Sequence, residues 1–335
     1  MILAQTDPVP DMNTFENPKA SQGSVFELLV TPEDERKRID VFLCTNLDCS
    51  RNFASNLVSD KKVFVNGENV KASYKIKIND KISGRVPKIR PIIPKPENLS
   101  LDIIYDDKYI SIINKPPKMV VHPAPGHLSS TLVNGILYEF ENMDFSFNSL
   151  RPGIVHRLDK DTSGAIVIAK TQKIQKELEQ SFKNREVVKK YFVLVHGNPP
   201  EKFIVEKPIG RHLTKRKKMS VSFENGRDAL SYFKVINCFG DISLLEADII
   251  TGRTHQIRVH LSSEGFPVLG DELYGYKHPM KHLSDKSRAI VKKHLSRQML
   301  HSAFLSFNHP YTKEKVSFEA DFFEDMKKII SELKT

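Results

Sequence analysis

The sequence predicts an α+β protein built from two folded units, and three observations predict it. Short apolar runs rich in β-branched residues alternate with turn signals, a pattern typical of hairpins and antiparallel strands. Amphipathic stretches with apolar residues at helical spacing lie between some of these runs, which indicates helices that pack on a sheet. Residues 86–96 hold four prolines among basic residues. This composition indicates an extended connection between a small first unit and a larger second one.

Composition limits the classes of partner and compartment. The chain has 335 residues with 39% hydrophobic content, enough to bury the core of more than one domain. Its net charge of +10 favours a polyanionic partner. Cys44, Cys49 and Cys238 are too few and too unevenly spaced for a disulfide framework or a zinc site, which favours a reducing cytoplasm. The sequence shows neither an export signal nor an apolar run of the ~18 residues that a membrane span needs, so we expect a cytoplasmic protein without a membrane partner.

The first unit is predicted at residues 25–85, after a polar tail at residues 1–24 that we expect to be disordered. Asn66-Gly67 lies between two apolar runs and is a strong signal for a two-residue type I′ turn. In chain order the pattern predicts a strand at 25–30, a helix at 37–46, a helix from the Ser50 cap to 59, a strand at 63–65, and further sheet at 74–82.

The two predicted helices of the first unit leave a basic side exposed. Their apolar residues must be buried, so basic residues remain outside: Arg36, Lys37, Arg38, Arg51, Lys61 and Lys62. An ordinary solvated surface is the alternative interpretation, because charge runs are usually solvation. Residues 36–85 resemble the small RNA-binding module first described in a small-subunit ribosomal protein (S-four-like), whose VxVNGxxV hairpin appears at residues 63–70. The resemblance implies that Arg51, Lys61 and Lys62 bind RNA.

The second unit is predicted at residues 99–335, after a linker at 86–98. Asp106-Asp107 joins two apolar runs into a hairpin, and later segments alternate between strand and helix patterns. The predicted hairpin strands are 103–105 and 109–113, the amphipathic helices are 131–140, 171–184 and 322–333, and two further strands are 191–195 and 242–250.

Residues 151–170 place an acid on a tight turn. Ile154-Val155 is predicted as a short strand, residues 159–164 as a turn, and residues 165–169 as a buried strand. Asp159 is therefore presented at the rim of a sheet. A calcium loop is the first alternative, but its twelfth position holds Lys170 where a carboxylate is required. The second is a turn-forming aspartate that only caps neighbouring N–H groups.

A second polar motif follows the predicted strand at 242–250. Thr254 can cap a helix that begins there, and His255 and Arg258 then lie three residues apart on one face. The Arg258 guanidinium can bind a carboxylate bidentately and keep it ionised at neutral pH. A zinc site is an alternative for the histidines of this segment, but HExxH is absent and no Cys or Glu completes a ligand set. Tyr191 begins a predicted strand and, taken alone, would be a core residue.

Residues 156–159 (His-Arg-Leu-Asp) followed by 162–164 (Thr-Ser-Gly) closely resemble the active-site motif of the RluA/RluD-type family of ribosomal large-subunit pseudouridine synthases. The resemblance covers about residues 25–320. It includes a GDxxYG segment at 270–275, an RQxLH segment at 297–301 and an RluD-like segment at 208–218. Departures from the family pattern are minor: Ser130, Ala165 and Ser302 replace a glycine, a leucine and an alanine.

The family resemblance implies a role for each candidate residue. Asp159 would be the catalytic acid, Arg258 would pair with it, and Tyr191 would stack on the target base. Leu300 would form a pocket wall. His156 and Arg157 would contact the RNA, and Arg157 would occupy the space of the extruded nucleotide or hold the phosphate.

The resemblance also implies the fold and the reaction. We expect a catalytic domain on a mixed, mainly antiparallel sheet that isomerises uridine to pseudouridine in 23S ribosomal RNA or a large-subunit precursor particle. We expect a monomer that needs neither cofactor nor metal. A non-catalytic RNA-binding or ribosome-assembly protein on the same fold is one alternative. The other is a metal-dependent hydrolase that uses several histidines: His122, His127, His255 or His260.

Overall fold

The computed structural model describes residues 23–87, 93–124, 126–140, 151–212, 214–215 and 218–335. Most of the tail expected at residues 1–24, and residues 88–92 of the expected linker, lie outside the described residues. The chain forms two compact units that are divided after Pro91. Each unit has its own apolar core and is described by itself.

The first unit packs two helices on a small antiparallel sheet. The apolar residues of both helices are buried against the strands, as their spacing requires. Ser50 caps the second helix, because its hydroxyl accepts a hydrogen bond from the Phe53 amide at 3.3 Å. The elements are β1 (Val25–Leu29), α1 (Ile39–Leu47), α2 (Arg51–Ser59), β2 (Val63–Val65) and β3 (Lys81–Arg85), with strand order β1-β3-β2.

The Asn66-Gly67 turn has the predicted conformation, but the sheet that was predicted after it is wrong over most of its length. Both turn residues have positive φ, 52° and 85°, as a type I′ turn requires. Residues 69–80 instead form turns and irregular segments around Asp80, which is buried. Asp80 accepts hydrogen bonds from the Asn66 amide, the Tyr74 hydroxyl and the Lys77 backbone N–H, and Lys75 forms only a single bridge, to Arg38.

The described residues of the second unit form a mixed sheet of nine strands. Every neighbouring pair is antiparallel except β6 and β13, which confirms the mixed, mainly antiparallel sheet. The strand order is β4-β5-β6-β13-β7-β12-β11-β8, with β14 paired to β13, while β9 and β10 form a separate hairpin. The strands are β4 (Ile103–Asp106), β5 (Ile110–Lys115), β6 (Ser163–Ala169), β7 (Val188–His196), β8 (Lys202–Glu206), β9 (Ile209–Arg211), β10 (Met219–Val221), β11 (Leu230–Cys238), β12 (Ile242–Ile249), β13 (Leu300–Asn308) and β14 (Lys315–Glu319).

In the described part of the second unit, five α-helices pack on this sheet. All seven residues of β6 are buried, because α3 and α5 contribute to the core on one face and α4 contributes to the core on the other. No helix in the described part of the chain is long and apolar enough to cross a membrane. The helices are α3 (Leu132–Glu139), α4 (Gln172–Lys183), α5 (Gln256–Ser263), α6 (Asp285–His294) and α7 (Glu324–Lys334).

The strand predicted at Ile154-Val155 is wrong. Only Ile154 pairs, through a single bridge to Ile168. The backbone N–H of Val167 binds the His156 ring at Nε2, 3.0 Å away, instead of a strand carbonyl. A histidine side chain therefore takes the donor that a longer strand pair would have used.

Candidate active site

The Asp159 loop is fixed where β6 begins. The Thr162 amide donates to the Asp159 carbonyl at 3.1 Å and closes the turn. Gly164 follows with φ of 111°, and a Cβ atom there would lie 2.2 Å from the carbonyl oxygen of Ser302. Only glycine permits this close approach of β6 to β13. The loop is thus held to two strands of the sheet.

Asp159 lies in an open cleft. Its side chain is 20% exposed, so the carboxylate is accessible without being fully solvated. The loop before β6, the ends of β7, β12 and β13, and the start of α5 form the walls. These elements bring together the predicted residues Arg157, Asp159, Tyr191, Arg258 and Leu300.

Arg258 connects Asp159 to a second acid. It lies on α5 with only 5% of its surface exposed, and its Nη1 donates to Asp159 Oδ2 at 2.8 Å. Its Nε and Nη2 donate to the two carboxylate oxygens of Asp271 at 2.7 and 3.0 Å. Burial lowers the pKa of Arg258, but the hydrogen bonds of Asp271 and the charge of Asp159 outweigh burial and raise it. The guanidinium therefore stays charged and orients Asp159.

Asp271 is held by the backbone as well as by Arg258. Its side chain has no exposed surface, and Oδ1 accepts hydrogen bonds from the Leu273 and Tyr274 amides, both at 2.9 Å. Two backbone donors and one bidentate arginine satisfy this buried carboxylate. Asp271 therefore fixes the position of Arg258 from the side opposite Asp159.

His255 is, after Arg258, a second potential hydrogen-bond donor near Asp159. Its Nε2 lies 3.8 Å from Asp159 Oδ1, and its Nδ1 lies 2.7 Å from the Tyr274 hydroxyl. Burial lowers the pKa of His255. His255 also occupies the N-cap position of α5, with φ of 58° and no capping side-chain bond. The predicted capping role of Thr254 is therefore wrong, because the helix begins after His255.

Tyr191 and Leu300 form the apolar part of the cleft. Tyr191 lies on β7 and is 7% exposed, and Leu300 at the start of β13 is 4% exposed. Burial raises the pKa of Tyr191 to about 12, so its phenol is neutral at physiological pH. A planar ring beside a leucine is a suitable surface for a nucleobase.

His156 and Arg157 were both predicted to contact RNA, but they lie in different environments. Arg157 is exposed and lines the cleft beside Asp159. His156 does not line it. Its ring stacks on Phe182, with ring centroids 4.6 Å apart, and its Nε2 binds the Val167 amide. Burial lowers the pKa of His156 to about 3, which keeps this nitrogen available as an acceptor. His156 anchors the Asp159 loop rather than facing the cleft.

The basic residues predicted to bind RNA in the first unit differ in their environment. Arg51 is partly committed to structure, since its Nε lies 3.1 Å from the carboxylate of the buried Asp40. Lys62 lies 3.4 Å from the carboxylate of Asp60, and Lys61 is exposed. These three residues belong to the other compact unit, and the cleft is formed by the second unit alone.

Sequence reasoning assigned no function to Asp271 or Tyr274. The GDxxYG segment that contains both was recognised, but the local pattern does not indicate that its acid binds an arginine on α5. In the part of the chain that the structure describes, no group of three or more His, Cys, Asp or Glu residues is placed to hold a metal ion.

A carboxylate at the rim of a cleft, with one oxygen held by a buried arginine, can act as a nucleophile or a base.

Residues 109–263 match the family model of RNA pseudouridylate synthase, and residues 37–82 match the S4 domain. The human protein "RNA Pseudouridylate Synthase Domain Containing 4" has a similar fold, with a TM-score of 0.56 at 24% identity over 70% of this chain and 93% of that one.

Two relatives extend the match to most of the chain. An uncharacterized RNA pseudouridine synthase of Bacillus subtilis is 40% identical over 92% of this chain and 98% of its own length. A "ribosomal large subunit pseudouridine synthase D" of Zymomonas mobilis is 38% identical over 76% of this chain and 79% of its own length. With an S4 domain preceding the synthase domain, the chain belongs to the RluA/RluD-type family of RNA pseudouridine synthases.

Proposed function

We propose that this synthase converts uridine to pseudouridine in 23S ribosomal RNA, with Asp159 as the catalytic residue. The observation that carries the proposal is the contact between Arg258 and Asp159 in the cleft, at 2.8 Å. Arg258 engages Oδ2, which leaves Oδ1 as the oxygen directed to the substrate. An ionised oxygen of this kind is the group that the reaction needs.

The target nucleotide has to leave its stack before Asp159 can reach it. Atoms C1′ and C5 are inaccessible in a duplex, so the uridine is extruded into the cleft. Tyr191 and Leu300 then hold the base between a ring and an apolar side chain. Arg157, exposed at the cleft, occupies the vacated space or holds the phosphate.

The reaction conserves atoms and involves no net oxidation. The bond between N1 and C1′ breaks, the base turns, a bond forms between C5 and C1′, and the hydrogen at C5 leaves as a proton while N1 gains one. Asp159 begins this sequence by attacking C1′ or by removing a proton from the ribose, and both routes use the free Oδ1. The balance requires no cofactor or metal.

Tyr191 is the candidate for proton removal from C5. Because its pKa is about 12, the residue enters the reaction as a neutral phenol. It can accept the proton from C5 only while it passes its own proton to a neighbouring acceptor. Asp159 is a candidate acceptor, because it lies near enough for its charge to contribute to that raised pKa.

The assignment of 23S RNA rests on the relatives and on charge. Relatives from Zymomonas mobilis and Buchnera aphidicola carry the name ribosomal large subunit pseudouridine synthase D. The chain has a net charge of +10, and its S4 domain adds affinity through phosphate contacts. We infer a cytoplasmic monomer that acts on free RNA or on a precursor of the large subunit.

The test compares two RNAs of equal length: the 23S stem-loop at the subunit interface and a transfer-RNA anticodon arm. The purified protein should form pseudouridine in the first and bind the second without modifying it. Modification of the anticodon arm alone would overturn the 23S assignment. Binding of both RNAs without modification of either would favour the non-catalytic RNA-binding alternative.

A further inference from the structure

Tyr274 joins three parts of the second unit at the edge of the cleft. Its hydroxyl accepts a hydrogen bond from the Met219 amide at 2.8 Å and lies 2.7 Å from His255 Nδ1. Its ring lies under the Arg258 guanidinium, 5.0 Å from the centroid. Its own amide donates to Asp271. Tyr274 therefore contacts both residues that approach Asp159, although it does not itself reach the carboxylate.

The direction of the hydroxyl proton follows from these partners. A backbone N–H can only donate, so the Tyr274 oxygen is the acceptor for Met219. If the hydroxyl proton points at His255 Nδ1, that nitrogen accepts it. A histidine that accepts at Nδ1 carries its proton at Nε2, because neutral imidazole has one donor and one acceptor. The nitrogen that faces Asp159 Oδ1 is thus the donor.

We propose that Tyr274 is a positioning residue that holds His255 as the Nε2–H tautomer and so directs a second N–H toward the cleft oxygen of Asp159. The present separation of 3.8 Å is longer than a hydrogen bond, so this donor remains available to the carboxylate or to a substrate oxygen bound there. Arg258 holds Oδ2 and His255 faces Oδ1. The two carboxylate oxygens of Asp159 therefore have different neighbours.

The same hydroxyl connects this arrangement to the hairpin of β9 and β10. Met219 is the first residue of β10, and the preceding Lys218 places its Nζ over the Tyr274 ring, 5.5 Å from the centroid. If the hairpin moves, the Met219 donor is withdrawn and the hydroxyl is free to rotate. The orientation of the Tyr274 hydroxyl therefore also depends on Met219, which follows a run of basic residues in the sequence.

Two groups favour the Nε2–H tautomer of His255. The Asp159 carboxylate lies 3.8 Å from Nε2 and favours a proton there, and the Tyr274 hydroxyl can add a hydrogen bond to Nδ1. Among the described residues, the charged or titratable groups that act on His255 are Asp159, Arg258, Asp271, Arg157 and Tyr274. Tyr274 alone of these is in hydrogen-bond contact with Nδ1.

The inference rests on the proposed role of Asp159, but its test does not need turnover. Nitrogen-15 NMR of the full chain distinguishes the two neutral tautomers, with the His255 signals assigned by their loss in His255→Gln. The wild-type protein should show Nε2–H. In Tyr274→Phe the signals should become those of a mixture, and the pKa of His255 should rise, because a hydrogen bond to its neutral form is lost.

Kinetics provide the second readout. Single-turnover isomerisation at saturating RNA should fall in Tyr274→Phe by about tenfold, the upper end of what one hydrogen bond supplies, while RNA affinity stays the same. Tyr138→Phe is the matched control. It removes a tyrosine hydroxyl that accepts one hydrogen bond, from the Asn98 amide at 3.4 Å, on the exposed surface of α3. It should change neither the His255 signals nor the rate.

An Nδ1–H tautomer in the wild-type protein would overturn the proposal, and this holds even if Tyr274→Phe does not fold. Unchanged His255 signals in a folded Tyr274→Phe would overturn it as well. An inactive wild-type protein that shows Nε2–H, lost in Tyr274→Phe, would leave this proposal standing and reject the proposed function instead.

Discussion

Arg258 and Asp271 are joined by two hydrogen bonds, of 2.7 and 3.0 Å, on the side of the guanidinium that faces away from Asp159. The Asp271 side chain has no exposed surface, so this pair is shielded from solvent. One positive charge is therefore shared by two carboxylates, and the trio retains one negative charge. That charge lies on the side of the cleft, where Asp159 is accessible.

Asp271→Asn should destabilise the fold although the residue does not reach the substrate. Removing one partner of a buried pair leaves the other charge without full compensation, a cost of about 3–5 kcal/mol. Asp285→Asn is the control, because Asp285 also pairs with an arginine but its side chain is 98% exposed. Urea unfolding of both variants measures the difference. Equal, small losses in both would show that the buried pair contributes no more than a surface pair.

Much of the fold could be predicted because its signals are local. The hairpin of β4 and β5 followed from Asp106-Asp107 between apolar runs, and α4 followed from apolar residues four apart. The same local reasoning predicted the turn at Asn66-Gly67. Each of these structures depends on residues within about ten positions of one another, so it could be predicted without knowing the topology.

Both strand predictions failed where a side chain takes a backbone N–H that a strand pair would have used. His156 takes the Val167 N–H and prevents the strand expected at Ile154-Val155. In the segment expected as a strand at 74–82, the Asp80 carboxylate takes the Lys77 N–H. In the candidate site, the family pattern brought Arg258 to Asp159. The contact between Asp271 and Arg258 could not be predicted, because the periodicity of a sequence does not indicate which acid binds which arginine.

Arg157→Ala should affect structured RNA more than unstructured RNA. The proposed role of Arg157 is to fill the space of the extruded nucleotide, and only a folded substrate has to be opened. Single-turnover rates on a stem-loop should therefore fall, while rates on an unpaired fragment of the same sequence change little. The unpaired fragment is the internal control. Equal losses on both RNAs would assign Arg157 to a different step.

Lys115 should make stability depend on pH. Its Nζ donates to the carbonyls of Pro116, Met119 and Lys160, and burial lowers its pKa from 10.5 to about 7. Between these two values the unfolded chain binds a proton that the folded chain does not. The free energy of unfolding should therefore rise from pH 7 to about pH 10, by at most about 1.4 kcal/mol per pH unit from this group.

Lys115→Met should flatten that rise, because the variant has no proton to release on folding. Lys108→Met is the control, since Lys108 is exposed and should leave the pH dependence of stability unchanged. Urea unfolding at several pH values between 7 and 10 measures both. A wild-type stability that is constant across this range would show that Lys115 keeps its proton in the fold.

The S4 domain should contribute phosphate contacts through Lys61 and Lys62. If each neutralises one phosphate, the double variant Lys61→Ala/Lys62→Ala should weaken RNA binding and reduce the slope of log affinity against log salt by about 1.4–1.8. Lys327→Ala, on the exposed side of α7, is the control. An unchanged salt slope in the double variant would indicate that these lysines are only solvated.

The central claim, that Asp159 carries the chemistry, is tested most directly by tritium release from RNA labelled at C5 of uridine. Asp159→Asn keeps the shape of the side chain and removes its charge, so the variant should fold and bind RNA but release no tritium above background. Asp285→Asn, on the exposed surface of α6, should release tritium at the wild-type rate. Release by Asp159→Asn at a rate near that of the wild type would contradict the assignment of Asp159 as the catalytic residue.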